Sequence, residues 1–245
     1  MKSGSAFFNR VTRFIGSEYR DPAEDRLTQI TSVVLERVPG LARSLTLGWL
    51  HPELAAIAER ATSESRSAWL AIADLPVDAA VATRTQVPVP GRIVDLELRF
   101  HSGSSALASD IAAVVWVEVK HGTPPSRGQL ADYADLRPAY PGAVVLLSPR
   151  ANPRADPMEY PEGVPERTWQ ATAHAARRFR RSGPADDPVA GWLLDEWLNY
   201  LRTEGLMPLE ALGPEHMTAL VRYNEAEAAL PYICEAAMLS APREN

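Results

Sequence analysis

An apolar stretch that ends in two opposite charges constrains this chain more than any other feature. Residues 112–119 are rich in valine, and Glu118 and Lys120 stand at alternate positions at the end of the stretch. On a strand of period two, Trp116, Glu118 and Lys120 share one face and the intervening valines share the other. A carboxylate and an amine are costly to bury unless they act together or hold a metal. The stretch therefore predicts a strand that carries a functional site at its end.

The amine at position 120 is informative because the chain contains almost no lysine. Lys2 and Lys120 are the only lysines among 25 basic residues. Arginine cannot replace lysine where a compact charge must be placed or a proton must be lost. We therefore interpret Glu118 and Lys120 as site residues. The alternative is a solvent-exposed cross-strand charge pair at a sheet edge.

The composition of the 245 residues bounds the class of protein. The net charge is −6, so any nucleic acid must be bound through a local basic patch or a bridging metal. The single Cys234 excludes an intramolecular disulfide framework and suits a reducing compartment. We find no signal-peptide pattern and no apolar run as long as a membrane span. The sequence thus predicts a cytoplasmic protein that does not use a membrane.

Hydrophobic periodicity and helix boundary signals predict an α/β fold in which a mixed sheet of about four strands is flanked by helices. Strands are predicted over residues 80–89, 92–100, 112–120 and 142–147. Helices are predicted over residues 22–38, 41–50, 52–62, 128–136, 169–181 and 192–202, with one or two more within 214–240. The chain divides into an N-terminal segment (1–20), a core (21–150), an irregular linker (151–165) and a helical extension (166–245) that packs on the core or on a partner.

A second carboxylate lies on the strand that precedes the charged one. Residues 92–100 alternate, so that Asp95, Glu97 and Arg99 are expected on one face and Val94 on the other with the leucines. If the two strands pair, Asp95 can converge with Glu118 and Lys120. Two carboxylates, a backbone carbonyl and waters suit Mg²⁺ or Mn²⁺, which would activate a water for phosphodiester hydrolysis. The alternative is that Asp95 is only a residue of a polar face.

The pattern D-x(22)-E-V-K, followed by Q-x(3)-Y, resembles the PD-(D/E)XK nuclease superfamily over roughly residues 21–148. The resemblance implies a restriction-endonuclease-like core. It implies that Asp95, Glu118 and the main chain of Val119 bind the metal, and that Lys120 serves the water. The resemblance also assigns supporting roles, to an auxiliary carboxylate on the first helix and to two residues after the strand: Glu24, Gln129 and Tyr133. The chain departs from the motif before Asp95, where valine replaces proline.

Two further groups are candidates for contacts to nucleic acid. Ser126 and Arg127 precede the helix that begins near Gln129, where backbone amides and a guanidinium could hold a phosphate. The most basic run of the chain is a cluster of arginines that could follow a phosphate backbone, formed by Arg177, Arg178, Arg180 and Arg181. A solvated helix end explains this cluster equally well.

These observations predict a Mg²⁺-dependent nuclease that hydrolyses DNA, in bacterial defence, restriction or repair. The sequence does not distinguish a ribonuclease from a deoxyribonuclease. The alternative is a catalytically silent subunit of the same fold that binds nucleic acid or assembles a complex. In either case, the C-terminal helices offer a surface for a homodimer or for a partner subunit.

Overall fold

The computed structural model describes a subset of the chain, all of it within one compact unit that ends at Met207. The described residues are 22–51, 63–103, 110–122, 124–126, 128–136, 140–149, 163–182 and 187–207. Four of the predicted features therefore lie outside them, namely the segment 1–20, the helix 52–62, most of the linker 151–165 and the helices within 214–240.

Six helices and five strands form the described part of the chain. The helices are α1 (Pro22–Arg37), α2 (Leu41–Leu50), α3 (Ser63–Ala73), α4 (Gln129–Asp135), α5 (Trp169–Ser182) and α6 (Pro188–Thr203). The strands are β1 (Val81–Val89), β2 (Arg92–His101), β3 (Ile111–Val119), β4 (Gly142–Ser148) and β5 (Glu166–Thr168). The α/β class and the four predicted strands are confirmed. Helix α3 was not predicted, and the prediction of helix from residue 166 is wrong for the three residues of β5.

Proline and glycine set the ends of several helices. Pro22 is the first residue of α1, and the Pro39-Gly40 turn follows its end. Gly40 has a φ of 76°, and a Cβ at that position would lie 3.0 Å from the carbonyl oxygen of Val77. Helix α6 begins at Pro188 after an N-cap aspartate, Asp187, whose side chain accepts hydrogen bonds from two backbone amides of the first turn. These local signals explain why the helices were predictable.

The sheet is mixed, with β3 at its centre. Its strand order is β1-β2-β3-β4-β5. Strands β1, β2 and β3 pair antiparallel, whereas β3, β4 and β5 pair parallel. The antiparallel register sets Leu96 opposite Val117, which makes Asp95 and Glu118 neighbours across the two strands. The charges of β3 therefore lie at the end of the central strand and not at a sheet edge.

Side chains from the two faces of the sheet enter two separate apolar clusters. The larger one contains Val115, Val117 and Val119 of β3, together with residues of α1, α2, α3, α5 and α6. The smaller one contains Trp116 of β3 and Tyr133 of α4. The alternation predicted for β3 is confirmed, and every residue of β4 is buried. A strand that is buried on both faces has a polar end only where neighbouring groups compensate it.

The predicted alternation of β2 fails at one residue. Leu96 enters the larger cluster as expected, but Val94 packs in the smaller one with Val87. The cause lies on β1, where Gln86 has a φ of 55° and interrupts the regular pairing opposite Asp95. A non-glycine residue in this left-handed region bends the strand locally. The bend accounts for the change of face between Val94 and Leu96.

The described helices after the linker region, α5 and α6, pack on the core. Trp169 and Trp197 are fully buried in the larger cluster. The indole of Trp197 donates to Thr31 of α1 at 3.2 Å, and that of Trp49 donates to Thr172 of α5 at 3.1 Å. These bonds join α1 to α6 and α2 to α5. Among the described helices, none combines the length and the apolar character needed to cross a membrane.

Candidate active site

The two predicted metal-binding carboxylates lie beside each other where β2 and β3 pair. Asp95 is 8% exposed and Glu118 is 1% exposed. Asp95 Oδ2 accepts a hydrogen bond from the backbone amide of Val119 at 3.0 Å. Val119 thus contacts Asp95 through its amide nitrogen, while the role of its main chain as a metal ligand stays a prediction. Asp95 is thus a buried residue and not a solvated one, and its role as a metal ligand stays a prediction.

Lys120 follows the last residue of β3 and reaches two carboxylates. Its Nζ lies 2.7 Å from Glu118 Oε1 and 3.3 Å from Glu24 Oε2. Its main chain is anchored on both sides, because its amide donates to Leu147 at 2.8 Å and its carbonyl accepts from the Trp169 indole at 2.9 Å. The Lys120 side chain is only 11% exposed. The alternative of a solvent-exposed charge pair at a sheet edge is therefore wrong.

Glu24, in the first turn of α1, completes a group of three carboxylates around one ammonium. Besides its contact with Lys120, Glu24 accepts a hydrogen bond at Oε1 from the backbone amide of His121 at 3.2 Å. The first helix thus brings a carboxylate to the end of the central strand, where the sequence predicted an auxiliary one. Its contribution to chemistry stays a prediction.

Gln129 and Tyr133 of α4 approach the same site from the other face of the sheet. Gln129 Nε2 donates to Glu118 Oε1 at 2.7 Å and to the Tyr133 hydroxyl at 3.1 Å. The Tyr133 hydroxyl donates in turn to the carbonyl of Ile93 at 2.6 Å. Gln129 and Lys120 therefore share one oxygen of Glu118, Oε1, and hold its carboxylate from two sides.

Ser126, in the segment before α4, orients Gln129. The backbone amide and the hydroxyl of Ser126 lie 3.2 and 3.3 Å from Gln129 Oε1. The Ser126 amide is thus already engaged, and the contact of Ser126 with a phosphate stays a prediction. Arg127 lies outside the described residues.

Burial gives the site unusual electrostatics. Desolvation, followed by the neighbouring Asp95 carboxylate, raises the pKa of Glu118 to about 8, although Lys120 opposes the shift. Burial lowers the pKa of Lys120, but Glu118, Asp95 and Glu24 together outweigh burial and raise it above its ordinary value. Burial and then the Glu118 carboxylate raise the pKa of Tyr133. The site therefore disfavours further negative charge and keeps Lys120 protonated.

One oxygen of the buried pair has no protein partner. Glu118 Oε2 is inaccessible to solvent and makes no hydrogen bond within the described part of the chain. A buried carboxylate oxygen without a partner is costly, and a cation is one group that can satisfy it. Over the described ranges, however, no three or more His, Cys, Asp or Glu side chains are grouped closely enough to hold a metal by themselves.

Two residues at the site escaped the sequence analysis. Asp25, next to Glu24 on α1, is 7% exposed and accepts a hydrogen bond from Gln86 Nε2 at 3.2 Å. Gln86 lies opposite Asp95 and carries the left-handed φ described above. The sequence places Asp25 beside Glu24, which could have marked it as a site residue. An acidic residue in the first turn of a helix is, however, also expected from the helix dipole. No sequence pattern marks Gln86 as a site residue, because its strained backbone arises only when β1 and β2 pair.

The predicted arginine cluster lies away from this site. Helix α5 begins at Trp169 beside Lys120, and the arginines start at residue 177, which is roughly 12–18 Å further along the helix at its usual rise. Arg180 makes two hydrogen bonds of 3.1 Å to Asp195 of α6. The structure thus does not bring these arginines together with the carboxylates, and their contact with nucleic acid stays a prediction.

Comparison of the chain with protein-family models, with curated proteins and with solved structures finds no match.

Proposed function

We propose that the chain is a divalent-metal-dependent nuclease that hydrolyses phosphodiester bonds of DNA in the cytoplasm, in a defence, restriction or repair role. The observation that carries the proposal is the pair Asp95 and Glu118, buried at the end of the central strand with Lys120 in contact. A restriction-endonuclease-like core is part of the proposal. It is supported by the order of α1, three antiparallel strands, α4 and the parallel strand β4, although α2 and α3 stand between α1 and β1.

The residues present fit a hard cation such as Mg²⁺ or Mn²⁺. Asp95, Glu118 and the main-chain carbonyl of Val119 would hold it. Glu118 Oε2 supports this assignment, because it is buried and none of the described residues donates a hydrogen bond to it. Mg²⁺ usually uses one or two carboxylates and keeps several waters, so a site with few protein ligands suits it. When bound, such an ion polarises a phosphoryl oxygen and lowers the pKa of a water.

The chain's own residues have separable tasks in this proposal. Lys120, which the carboxylates keep protonated, places a positive charge where the attacking water and the phosphate meet. Gln129 orients the Glu118 carboxylate through its 2.7 Å hydrogen bond. Glu24 positions the ammonium of Lys120 from the other side. Tyr133 holds Gln129 in turn, so that the geometry is set before a substrate arrives.

The proposal is tested by a cleavage assay on supercoiled DNA, single-stranded DNA and RNA, with Mg²⁺, with Mn²⁺ and with EDTA. Lys120→Ala is expected to abolish metal-dependent cleavage and to leave the circular dichroism spectrum unchanged. Lys2→Ala is the matched control, because it removes the only other lysine. If Lys120→Ala is too unstable to assay, Lys120→Gln serves instead. Cleavage by either Lys120 variant at the wild-type rate would refute the assignment.

A nuclease-fold subunit without catalysis is the second candidate. It is favoured by one observation, because Asp95 Oδ2 and Glu118 Oε1 already accept hydrogen bonds from protein groups. This candidate predicts that Mn²⁺ neither binds in calorimetry nor raises the melting temperature, whereas a metal site gives both. The RNA substrate in the cleavage assay tests directly whether the chain is a ribonuclease.

A further inference from the structure

Strand β2 changes face at one position, and that position is Asp95. In a regular strand, the two neighbours of a residue lie on the same face of the sheet. Val94 packs in the smaller cluster with Val87, whereas Leu96 packs in the larger one. The chain of β2 therefore rotates between Val94 and Leu96, and Asp95 is the residue at which it rotates.

Strand β1 makes the same change of face directly opposite, at Gln86. Thr85 pairs with Leu96 and lies on the same face as Leu96, because residues opposite each other in a strand pair share a face. Val87 lies on the other face, in the smaller cluster. Between them, Gln86 and Asp95 form no regular pair, and Gln86 has a φ of 55°. The left-handed backbone of Gln86 thus accompanies the rotation of both strands.

The rotation determines which group the Asp95 carboxylate contacts. Regular alternation along β2 would set Asp95 on the face of Trp116 and α4. Instead, Asp95 Oδ2 accepts a hydrogen bond from the backbone amide of Val119 at 3.0 Å. The regular pairing of β2 with β3 ends at Leu96 and Val117. The Asp95 carboxylate therefore takes the place of a backbone acceptor at the end of β3.

The strained conformation of Gln86 is held from outside the sheet. A left-handed backbone is costly for a residue with a Cβ, and it persists where the surroundings impose it. Gln86 Nε2 donates to Asp25 Oδ1 of α1 at 3.2 Å. Asp25 adjoins Glu24, whose carboxylate contacts Lys120. This hydrogen bond therefore joins the strained residue to the helix that brings a carboxylate to the site.

We propose that Gln86 is a positioning residue for the metal site, an inference that rests on the nuclease function proposed above. Its left-handed backbone turns β2 at Asp95, so that the carboxylate holds the end of β3 and stands beside Glu118. In this role Gln86 does not contact the metal or the substrate. A residue that disfavours the left-handed region would restore regular pairing and move the Asp95 carboxylate away from the Val119 amide.

Two substitutions separate the backbone of Gln86 from its side chain. Gln86→Gly and Gln86→Val both lose the hydrogen bond to Asp25, but only glycine adopts the left-handed region without steric cost. Hydrogen exchange of the Val119 amide is measured by NMR in EDTA, relative to the other amides of β3. Exchange in Gln86→Val should be faster by about tenfold or more, because the Asp95 hydrogen bond is lost, whereas exchange in Gln86→Gly should match the wild type. Thr85→Val is the matched control, since it places valine at the adjacent, regularly paired position.

Calorimetry with Mn²⁺ gives the second measurement on the same proteins. Gln86→Val should bind Mn²⁺ about tenfold or more weakly than the wild type, whereas Gln86→Gly and Thr85→Val should stay within about threefold of it. If Gln86→Val does not fold, Gln86→Ala takes its place with the same expectations, because alanine also carries a Cβ.

The positioning role is supported if Gln86→Val changes both the Val119 exchange and the Mn²⁺ affinity and Gln86→Gly changes neither. It is overturned if the Val119 amide stays protected in Gln86→Val, or if Gln86→Gly or Thr85→Val exposes it equally. Faster exchange with an unchanged Mn²⁺ affinity in Gln86→Val also overturns it. Absence of Mn²⁺ binding by the wild type would instead refute the metal site, while the exchange data would still decide what orients Asp95.

Discussion

Replacing Glu118 with glutamine should abolish the pH dependence that this buried carboxyl imposes on the free energy of unfolding. The folded protein holds a proton on Glu118 up to about pH 8, whereas the unfolded chain loses it near the ordinary value of 4.5. The folded state thus binds more protons between these two values. Its free energy of unfolding is highest below pH 4.5 and falls as the pH rises toward 8.

The magnitude follows from the width of this interval. Each pH unit within it lowers the free energy of unfolding by about 1.4 kcal/mol. Between pH 5 and pH 8 the loss is therefore on the order of 4 kcal/mol, which is a large part of the stability of a typical domain. Glu118→Gln keeps the shape of the side chain and removes this titration. The variant should match the wild type near pH 5 and exceed it increasingly at higher pH.

The measurement is urea unfolding in EDTA at pH 5, 6, 7 and 8, for the wild type and Glu118→Gln. All other titratable groups are present in both proteins, so the difference between the two curves reports the titration of Glu118. In Mn²⁺ the order should reverse at pH 8, because a metal that replaces the proton of Glu118 stabilises only the wild type. Parallel curves in EDTA would show that burial does not raise the pKa of Glu118, and the electrostatic argument would fail.

Two further predictions concern the scaffold around the site. Gly40→Ala should lower the free energy of unfolding by about 1–2 kcal/mol in urea titration, because alanine is strained at a φ of 76°. Gly48→Ala, in a helix with open space around the new methyl group, should instead raise it by up to about 1 kcal/mol, and equal effects would contradict the backbone argument. Trp169→Phe and Trp49→Phe should each lower the free energy of unfolding by about 1–3 kcal/mol, since each removes the hydrogen bond that a buried indole donates. Only Trp169→Phe should also slow cleavage, because its indole holds the carbonyl of Lys120; equal cleavage by both variants would exclude that role.

Much of the candidate site was predictable because its signals are local. The Glu118 and Lys120 spacing on a strand, and the Gln129 and Tyr133 spacing on a helix, both depend on residues close in the chain. The structure brings these four side chains together with Asp95. The β5 strand escaped prediction for the opposite reason. Its three residues carry no periodic pattern, and they form a strand only because β4 offers them a partner.

Contacts between distant segments were not predictable. Gln86 adopts its strained conformation where β1 meets β2, and the same irregularity moves Val94 to the other face of the sheet. Asp25 becomes a site residue only because Gln86 reaches it across 61 positions of sequence. A pattern of period two assumes a regular strand, so it cannot report a bend that two strands impose on each other.

The sequence by itself determined five of the six described helices and four of the five described strands. It also determined the burial of the central strand and the identity of the charged residues at its end. Those features follow from alternation and from proline and glycine signals, which act over a few residues. Only the tertiary structure decided that Glu24 would reach Lys120, that one oxygen of Glu118 would lack a partner and that the pKa of Glu118 would rise to about 8. Depth of burial and the approach of distant carboxylates produce these properties, and both arise only when the helices pack on the sheet.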